Sequence, residues 1–324
     1  MKSALPLAAG ALAALLCAQA AANEYSALLK TRKYAEVERI ANAKLAQEPG
    51  NADALVARNE AILRAGGRLE EAVKLGEQCV AAHPQVANCH LVLGKALGTK
   101  AVTAGIMSAI GYAGTIRDAF KKAVELDPQN MDARFSLLQY YMSAPAIVGG
   151  GSSKAQALAA QTAAVNPDAA KLMLARLDAS DDKLAKAEAS VLAMPVSTNE
   201  AVADGQRDLM INLGNEYLSE KKYADGERMY REAMRRFPDS DGAVYGMARV
   251  QQEQGKHREA IAGMEQSIAM YSRAAPFYRI GLSQQALGDK VKAMAAYEKA
   301  LSFKAGLSLK MKSDAEDRIK ALKQ

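Results

Sequence analysis

The sequence predicts an all-α fold in which helical hairpins stack into an α-solenoid, and three observations lead to it. Half of the 324 residues are hydrophobic, but only 5% are aromatic and tryptophan is absent. Small residues such as alanine, the best helix former, therefore supply much of the apolar surface. Apolar residues recur at three- and four-residue spacing, which makes each helix amphipathic. Prolines recur as well, and Pro49 and Pro84 are 35 residues apart. Because one helical pair cannot bury its apolar face alone, such pairs must stack.

The first 22 residues have the composition of a secretory signal peptide. Lys2 precedes an apolar stretch from Ala4 to Cys17, and small residues up to Ala22 offer a cleavage site. We therefore expect export to the periplasm or the exterior of a bacterial cell, with Asn23 as the new terminus and no later membrane span. Two alternatives stay open. One is an uncleaved membrane anchor, for which the apolar stretch is short. The other is a lipoprotein anchored at Cys17, which lacks the small residue expected just before it.

Signal removal would leave two cysteines, Cys79 and Cys89, at equal distances from Pro84. If Pro84 marks a tight turn between antiparallel helices, the two thiols come close together, and an oxidising compartment permits a disulfide. Two separate buried thiols are the alternative. His83 and His90 lie nearby, and these residue types can bind zinc, but their spacing matches no closed zinc site. We therefore expect neither a metal nor a cofactor.

Three units of one pattern occupy the C-terminal part and start at Arg207, Asp241 and Ala274. The recurring positions are Met210, Leu213, Gly214, Tyr217, Gly226, Tyr230, Ala233 and Pro238 in the first unit, Met247, Ala248, Gly255, Ala260 and Met264 in the second, and Phe277, Ile280, Gly281, Gly288, Ala293, Tyr297 and Ala300 in the third. This pattern resembles the tetratricopeptide repeat family. The resemblance implies a right-handed superhelix of helical hairpins.

Looser units precede the regular ones. They are a half unit with Tyr34 and Pro49, followed by units at 53–86, 87–128, 131–167 and 168–195. Ser197 and Glu200 have the spacing of a capping box for the helix that enters the regular units. The expected organisation is a signal peptide at 1–22, divergent units at 23–195, a regular array at 196–305 and a capping helix at 306–324.

Two of the divergent units are too long, by about ten and about five residues. The extra residues lie near 101–116 and 143–153, between the first and second helix of neighbouring repeats, and neither segment carries a charge. Pro145 is expected to stop a helix after Tyr141, and Gly149, Gly150 and Gly151 permit backbone angles that other residues resist. We expect two adjacent uncharged protrusions that either pack on each other or contact a partner. They resemble exported bacterial tetratricopeptide proteins with an "APGIxGG"-like loop, a group without an established activity, although alanine replaces the glycine after the proline here.

The resemblance also implies a concave groove lined by the first helix of each repeat. The residues that alignment places there are Lys95, Phe135, Gln139, Asn215, Tyr245, Arg249, Tyr278 and Gln285. Aromatic and amide side chains suit an extended peptide, whose backbone needs hydrogen bonds and whose side chains need pockets. Asn215 fits one position of the family's carboxylate clamp, but Ile211 stands where its lysine would be, so we do not expect a clamp.

The remaining features favour a binding function over catalysis. The net charge is +6, but acidic and basic residues alternate, whereas nucleic-acid binding favours a concentrated basic stripe. No Ser/His/Asp or Cys/His arrangement for catalysis is recognisable. The sequence therefore predicts a non-catalytic interaction or scaffolding protein of the bacterial cell envelope that binds a protein or peptide, with the envelope machinery as a candidate source of the partner. The alternative is an enzyme or metal protein that uses the cluster from Cys79 to His90.

Overall fold

The computed structural model describes residues 24–103, 105–303 and 306–324, and gives only the backbone of residues 106–108. The predicted signal peptide, together with Cys17, lies outside these residues. Every regular element in the described part of the chain is a helix, and none of these helices combines the length and apolar character needed to cross a membrane. The chain forms two compact units, Met1–Leu158 and Ala159–Gln324. The division at residue 195, which rests on the regularity of the repeats, stays a prediction.

The first unit consists of helices, and from the second helix to the seventh each packs on the next one along the chain. They are residues 24–30 (α1), Tyr34–Gln47 (α2), Ala52–Ala65 (α3), Leu69–Ala82 (α4), Ala87–Thr103 (α5), Ile106–Leu126 (α6) and Met131–Ser143 (α7), with the 3₁₀ helix Ala146–Val148 and then Ser152–Ala163 (α8), in which the unit ends. Tyr25 of α1 is buried with Val37 of α2 and Ala54 of α3. The apolar faces of three successive helices thus form one local core.

The second unit continues the same arrangement. Its helices are Pro167–Ser180 (α9), Leu184–Ala193 (α10), Glu200–Ser219 (α11), Tyr223–Arg236 (α12), Asp241–Glu253 (α13), His257–Met270 (α14), Ala274–Ala286 (α15), Lys290–Leu301 (α16) and Leu309–Leu322 (α17). Each of these helices packs on the next one along the chain. The first helices of the regular repeats, α11, α13 and α15, also pack side by side. The all-α fold of repeated hairpins confirms the predicted fold class, an α-solenoid of tetratricopeptide-repeat type.

Glycine–aromatic contacts join the two helices of a repeat. A Cβ atom added to Gly94 of α5 would lie 2.5 Å from the Phe120 ring of α6, and one added to Gly281 would lie 2.5 Å from the Tyr297 ring. The Tyr230 ring likewise occupies the space that a Cβ atom would need on the first helix of its own repeat. Glycine at these positions therefore lets the second helix insert a large buried ring, which explains why the repeat pattern combines the two residue types.

Asparagine caps the first helix of several repeats. The side chains of Asn51, Asn130 and Asn166 each accept a hydrogen bond from the backbone N–H three residues later. The capping box predicted at Ser197 is wrong, because α11 begins at Glu200 with Asn199 as its N-cap. Ser197 Oγ instead accepts from the Asn199 N–H, at 3.1 Å. Asparagine was the better start signal because its carboxamide oxygen reaches the third helical N–H.

The first insertion is helical: its described residues lengthen the two helices on either side of Gly105, whereas the sequence placed residues 101–116 between the helices. With 17 and 21 residues, α5 and α6 exceed the 14-residue α3 and α4 by three and seven residues. These additions account for the ten extra residues of the unit. The segment contains alanine, isoleucine and methionine, which permit helix, and a turn at Gly105, with φ +86°, joins the two helices. The second insertion does form a loop, although α7 continues to Ser143 rather than ending at Tyr141.

Candidate functional site

Polar and aromatic side chains meet in the second unit around the helices α11 and α13 and the residue that precedes α15. Asn215 Oδ1 accepts from Arg249 Nη1 at 2.7 Å and from the Tyr230 hydroxyl at 2.9 Å. The ring of Tyr245 lies 5.9 Å from the Arg249 guanidinium carbon and 4.8 Å from that of Arg273, distances typical of cation–π contacts. Burial raises the pKa of Tyr230 to about 12, although the positive charge of Arg249 acts to lower it. Its phenol therefore stays protonated and donates at neutral pH. We call Asn215, Tyr245, Arg249 and Arg273 the arginine–tyrosine cluster.

The arginine–tyrosine cluster has spare donor capacity. The buried Nε atoms of Arg249 and Arg273 have no hydrogen-bond acceptor, although the Arg273 guanidinium also lies 3.2 Å from the Asp241 carboxylate. Buried donors without acceptors are rare in folded proteins. The sequence predicted three members of this cluster. It missed Arg273, because that residue precedes α15 rather than occupying a first-helix position of the repeat.

Tyr278 and Gln285, two further predicted groove residues, belong to a separate contact with the last helix. Tyr278 is only 9% exposed, and its hydroxyl donates to Asp314 Oδ2 of α17 at 2.7 Å. Burial, together with this hydrogen bond, raises the pKa of Tyr278 to about 12. Gln285 Oε1 accepts from the Tyr297 hydroxyl at 2.9 Å and from Arg318 Nη1 at 3.1 Å. Tyr278 therefore stabilises the docking of α17 and offers little surface to a ligand, contrary to its assignment to the groove.

The three predicted groove residues of the first unit are also engaged within the chain. Lys95 Nζ lies 2.7 Å from Glu60 and 3.5 Å from Asp132, so it links α5 to α3 and α7. Burial acts to lower the pKa of Lys95, but the two carboxylates outweigh it and the pKa is raised. Phe135 is 8% exposed and so does not line an open groove. Gln139 is exposed and donates to Ser143 Oγ at 2.7 Å.

The loop at residues 144–151, which holds the second insertion, is built from specific contacts. The Tyr140 hydroxyl donates to the Val148 carbonyl at 2.6 Å, and Lys154 Nζ donates to the Gly149 carbonyl at 3.0 Å. A Cβ atom at Gly150 would lie 1.8 Å from the Ala144 carbonyl oxygen, so only glycine fits there.

The same loop lies against the first insertion. The side chain of Arg117 on α6 covers Gly149, whose φ is +93°. Gly151 also has positive φ, +120°, and its N–H donates to the Tyr141 carbonyl at 2.8 Å. Pro145 precedes the 3₁₀ helix. The two insertions are therefore neighbours, as their positions in adjacent repeats predict.

Cys79 and Cys89 are both fully buried, and the structure joins them in a disulfide with Cα atoms 5.2 Å apart. The bond links α4 to α5 across the turn that contains Pro84. His83 Nε2 contacts the Gly50 carbonyl, and His90 Nε2 lies 2.9 Å from the Pro84 carbonyl. Neither sulfur is a free thiolate in this arrangement. Among the described residues no group of three His, Cys, Asp or Glu side chains is placed to hold a metal ion. The geometry therefore gives no support to an enzymatic or metal site at the cluster from Cys79 to His90.

Comparisons with known proteins agree with the repeat geometry. Two family models, both described as tetratricopeptide repeat, match residues 217–272 and 277–303. No curated protein sequence matches the chain. Among solved structures, yeast Tom70 is 12% identical with a TM-score of 0.62, covering 90% of this chain and 59% of that one. At this identity the likeness concerns the fold alone.

Two further solved structures resemble the chain more distantly. A tetratricopeptide repeat protein from Parabacteroides merdae is 14% identical with a TM-score of 0.45, covering 94% of this chain and 98% of that one. A chain of the APC/C hetero-tetramer Cut9–Hcn1 is 15% identical with a TM-score of 0.47, covering 93% of this chain and 55% of that one. The chain thus spans between half and two thirds of the Cut9–Hcn1 and Tom70 chains. The repeats support a protein–protein interaction scaffold, and the two matches identify residues 217–272 and 277–303 as tetratricopeptide repeats.

Proposed function

We propose that the chain is a non-catalytic scaffold of the bacterial cell envelope and that its second unit binds an extended, acidic protein segment. The observation that carries the proposal is the arginine–tyrosine cluster, in which two partly exposed guanidinium groups flank the partly exposed Tyr245 ring. Carboxylates form the strongest hydrogen bonds with guanidinium groups. The amide of Asn215 and the aromatic ring add the contacts that a peptide backbone and an apolar side chain require.

A peptide array incubated with the full chain tests this specificity. We expect the retained peptides to be rich in Asp and Glu. Replacing Arg249 by alanine should weaken the best peptide by about tenfold or more, because a hydrogen bond to a charged group contributes about 1.5–3 kcal/mol. The matched control is Arg258→Ala, which removes an exposed arginine from α14 and should leave affinity unchanged.

Two results would contradict the binding proposal. One is an array dominated by basic or purely apolar peptides. The other is equal loss of affinity in the Arg249→Ala and Arg258→Ala variants, which would indicate a general charge effect rather than a site. Circular dichroism of each variant checks that the helical fold is intact, since Arg249 also binds Asn215 within the chain.

Envelope location is the second part of the proposal and rests on the signal-like first 22 residues. N-terminal sequencing of the protein recovered from a bacterial periplasmic fraction should give Asn23 as the first residue. Recovery in the cytoplasm with an intact Met1 would contradict the location and leave the peptide-binding proposal standing. A lipid attached at Cys17 would identify a membrane-anchored form instead.

A further inference from the structure

Three large apolar side chains of the first unit are exposed around its longest hairpin. Val102, at the end of α5, is 85% exposed, and Ile110, near the start of α6, is 54% exposed. Ile147, in the 3₁₀ helix that packs on α6, is 93% exposed. We call these three residues the apolar tip. Val102 and Ile147 bury almost no surface, so these two side chains are not needed to hold the fold.

The hairpin extends beyond its neighbour. Lys100 of α5 lies 2.7 Å from Glu70, the second residue of α4, so this level of α5 corresponds to the turn between α3 and α4. The residues of α5 after Lys100, and the residues of α6 that lie opposite them, therefore project past that turn. The three and seven additional helical residues correspond to about 5 and 10 Å at 1.5 Å per residue. Val102 and Ile110 both lie in this projecting part.

Ile147 is held outward by a fixed backbone. The carbonyls on its C-terminal side, of Val148 and Gly149, accept hydrogen bonds from Tyr140 and Lys154. Since Gly150 tolerates no larger residue, the loop has little freedom to turn Ile147 inward. An exposed isoleucine on a rigid loop has the form of an anchor for another surface, and such exposed apolar groups mark interaction sites when they cluster.

The charged residues that flank the two uncharged segments in the sequence are cationic. Residues 101–116 and 135–153 contain no charged side chain, and the next charged residues are Lys100, Arg117, Arg134 and Lys154. Exposed carboxylates pair with two of them, Glu70 with Lys100 and Asp118 with Arg117, whereas Lys154 donates to a backbone carbonyl. The ammonium of Lys100 also lies 5.3 Å from the Tyr112 ring. Aromatic and basic residues beside an apolar surface are the combination found at lipid interfaces.

We propose that the apolar tip docks on an anionic lipid surface. Val102, Ile110 and Ile147 enter the boundary between headgroups and acyl chains, while Lys100, Arg117 and Lys154 stay at the level of the headgroup phosphates. An apolar pocket on a protein would accept the same three side chains, but it would have no need of bordering cations or of two segments free of acidic residues. This contact is separate from the peptide site of the second unit.

The absence of tryptophan from the chain makes a direct test possible. In the full chain, Ile147→Trp places the sole indole at the apolar tip. The matched control is Val291→Trp, at a 73% exposed apolar position on α16. On addition of phosphatidylglycerol vesicles, the emission of the Ile147→Trp variant should shift to shorter wavelength and be quenched by bromine-labelled acyl chains. The Val291→Trp variant should do neither. Both carry the same N-terminal segment, so binding through that segment would not produce the difference.

The electrostatic part has its own readout. Salt at about 1 M, where the Debye length is about 3 Å, should reduce the response of the Ile147→Trp variant, and phosphatidylcholine vesicles should give a much smaller one. Relative to Val102→Trp alone, Ile147→Asp combined with Val102→Trp should lower the vesicle partitioning that the indole reports by about tenfold or more, since the isoleucine no longer enters the lipid.

Several results would overturn the proposal while circular dichroism shows a folded chain. These are no response of the Ile147→Trp variant to phosphatidylglycerol vesicles, an equal response to phosphatidylcholine, and an equal response of the Val291→Trp variant. A shift that depends on protein concentration without vesicles would also overturn it, because it would assign the apolar tip to contact with a second copy of the chain. The Arg249→Ala variant of the peptide site should not change the vesicle response.

Discussion

Replacement of Gly94 by alanine should destabilise the protein, whereas the same change at Gly111 should stabilise it. Both glycines lie inside helices of one hairpin, Gly94 in α5 and Gly111 in α6. A Cβ atom at Gly94 would lie 2.5 Å from Phe120 Cε1 and 2.7 Å from Cδ1, but no heavy atom lies within 4 Å of one at Gly111. Helix propensity favours alanine by about 1 kcal/mol at both positions. The two variants therefore differ mainly in packing.

The size of the effect follows from the contact with Phe120. Carbon atoms pack at about 3.5–4.0 Å, so the new methyl group of Gly94→Ala would overlap the ring by about 1 Å. Phe120 is only 6% exposed and cannot move away without disturbing the core. Overpacking of this kind costs about 1–3 kcal/mol. After the propensity gain, we expect Gly94→Ala to lower the free energy of unfolding by up to about 2 kcal/mol. Gly111→Ala should raise it by about 0.5–1 kcal/mol.

Urea unfolding followed by circular dichroism measures both changes, and hydrogen exchange of α5 amides localises them if the two compact units unfold separately. Phe120→Leu supplies a rescue, because a smaller side chain leaves room for the methyl group. Gly94→Ala should therefore be neutral, or stabilising by up to about 1 kcal/mol, in the Phe120→Leu background. A stabilising Gly94→Ala in the wild-type background, or a cost that persists in the Phe120→Leu background, would refute the packing argument.

Three other predictions concern local features. Denatured, unreduced protein should show no free thiol at Cys79 or Cys89, and reduction should lower the free energy of unfolding by about 2–3 kcal/mol; two titratable thiols would contradict this. Lys221 has φ +59°, so Lys221→Gly should stabilise by up to about 1 kcal/mol in urea unfolding, whereas Lys222→Gly, at negative φ, should not. Hydrogen bonding to the neighbouring arginines lowers the pKa of Glu232 to about 2 from 4.5. Its stabilising contribution is therefore complete above pH 4.5 and lost as the pH falls towards 2, and comparison with Glu232→Gln across that range measures the loss.

The repeat architecture was predictable because its signals are local. Gly214 and Tyr230 are 16 residues apart, as are Gly281 and Tyr297, and each glycine receives the ring of its own repeat. In the long unit Gly94 and Phe120 make the same contact across 26 residues. The ten-residue excess therefore lies between two conserved structural positions, as the sequence indicates. Its conformation was harder to predict, because glycines and a lack of charge are typical of loops as well as of tightly packed helices.

The candidate site was predictable only in part, because surface exposure depends on contacts between repeats. Position in the repeat placed Phe135 and Tyr278 in the groove, yet neighbouring helices bury both residues. Asp314 of α17 lies 36 residues from Tyr278 and accepts a hydrogen bond from its hydroxyl. Lys95 similarly finds Glu60 and Asp132 on adjacent repeats. A pattern within one repeat does not specify these partners.

The helical form of the first insertion bears on what the apolar tip can contact. A loop of the same composition would expose backbone N–H and C=O groups, and each would lose water on entering an apolar environment. In α5 and α6 most of these groups are hydrogen-bonded within the helices, and the unpaired ones are those at the helix ends on either side of Gly105. Two extended helices thus present Val102 and Ile110 on a backbone that tolerates a lipid interface. Beside Ile147 the backbone carbonyls are hydrogen-bonded by side chains instead, since Tyr140 and Lys154 donate to them. The two insertions therefore reach a similar surface by different means: one satisfies its backbone through added helical turns, and the other through hydrogen bonds from the flanking helices.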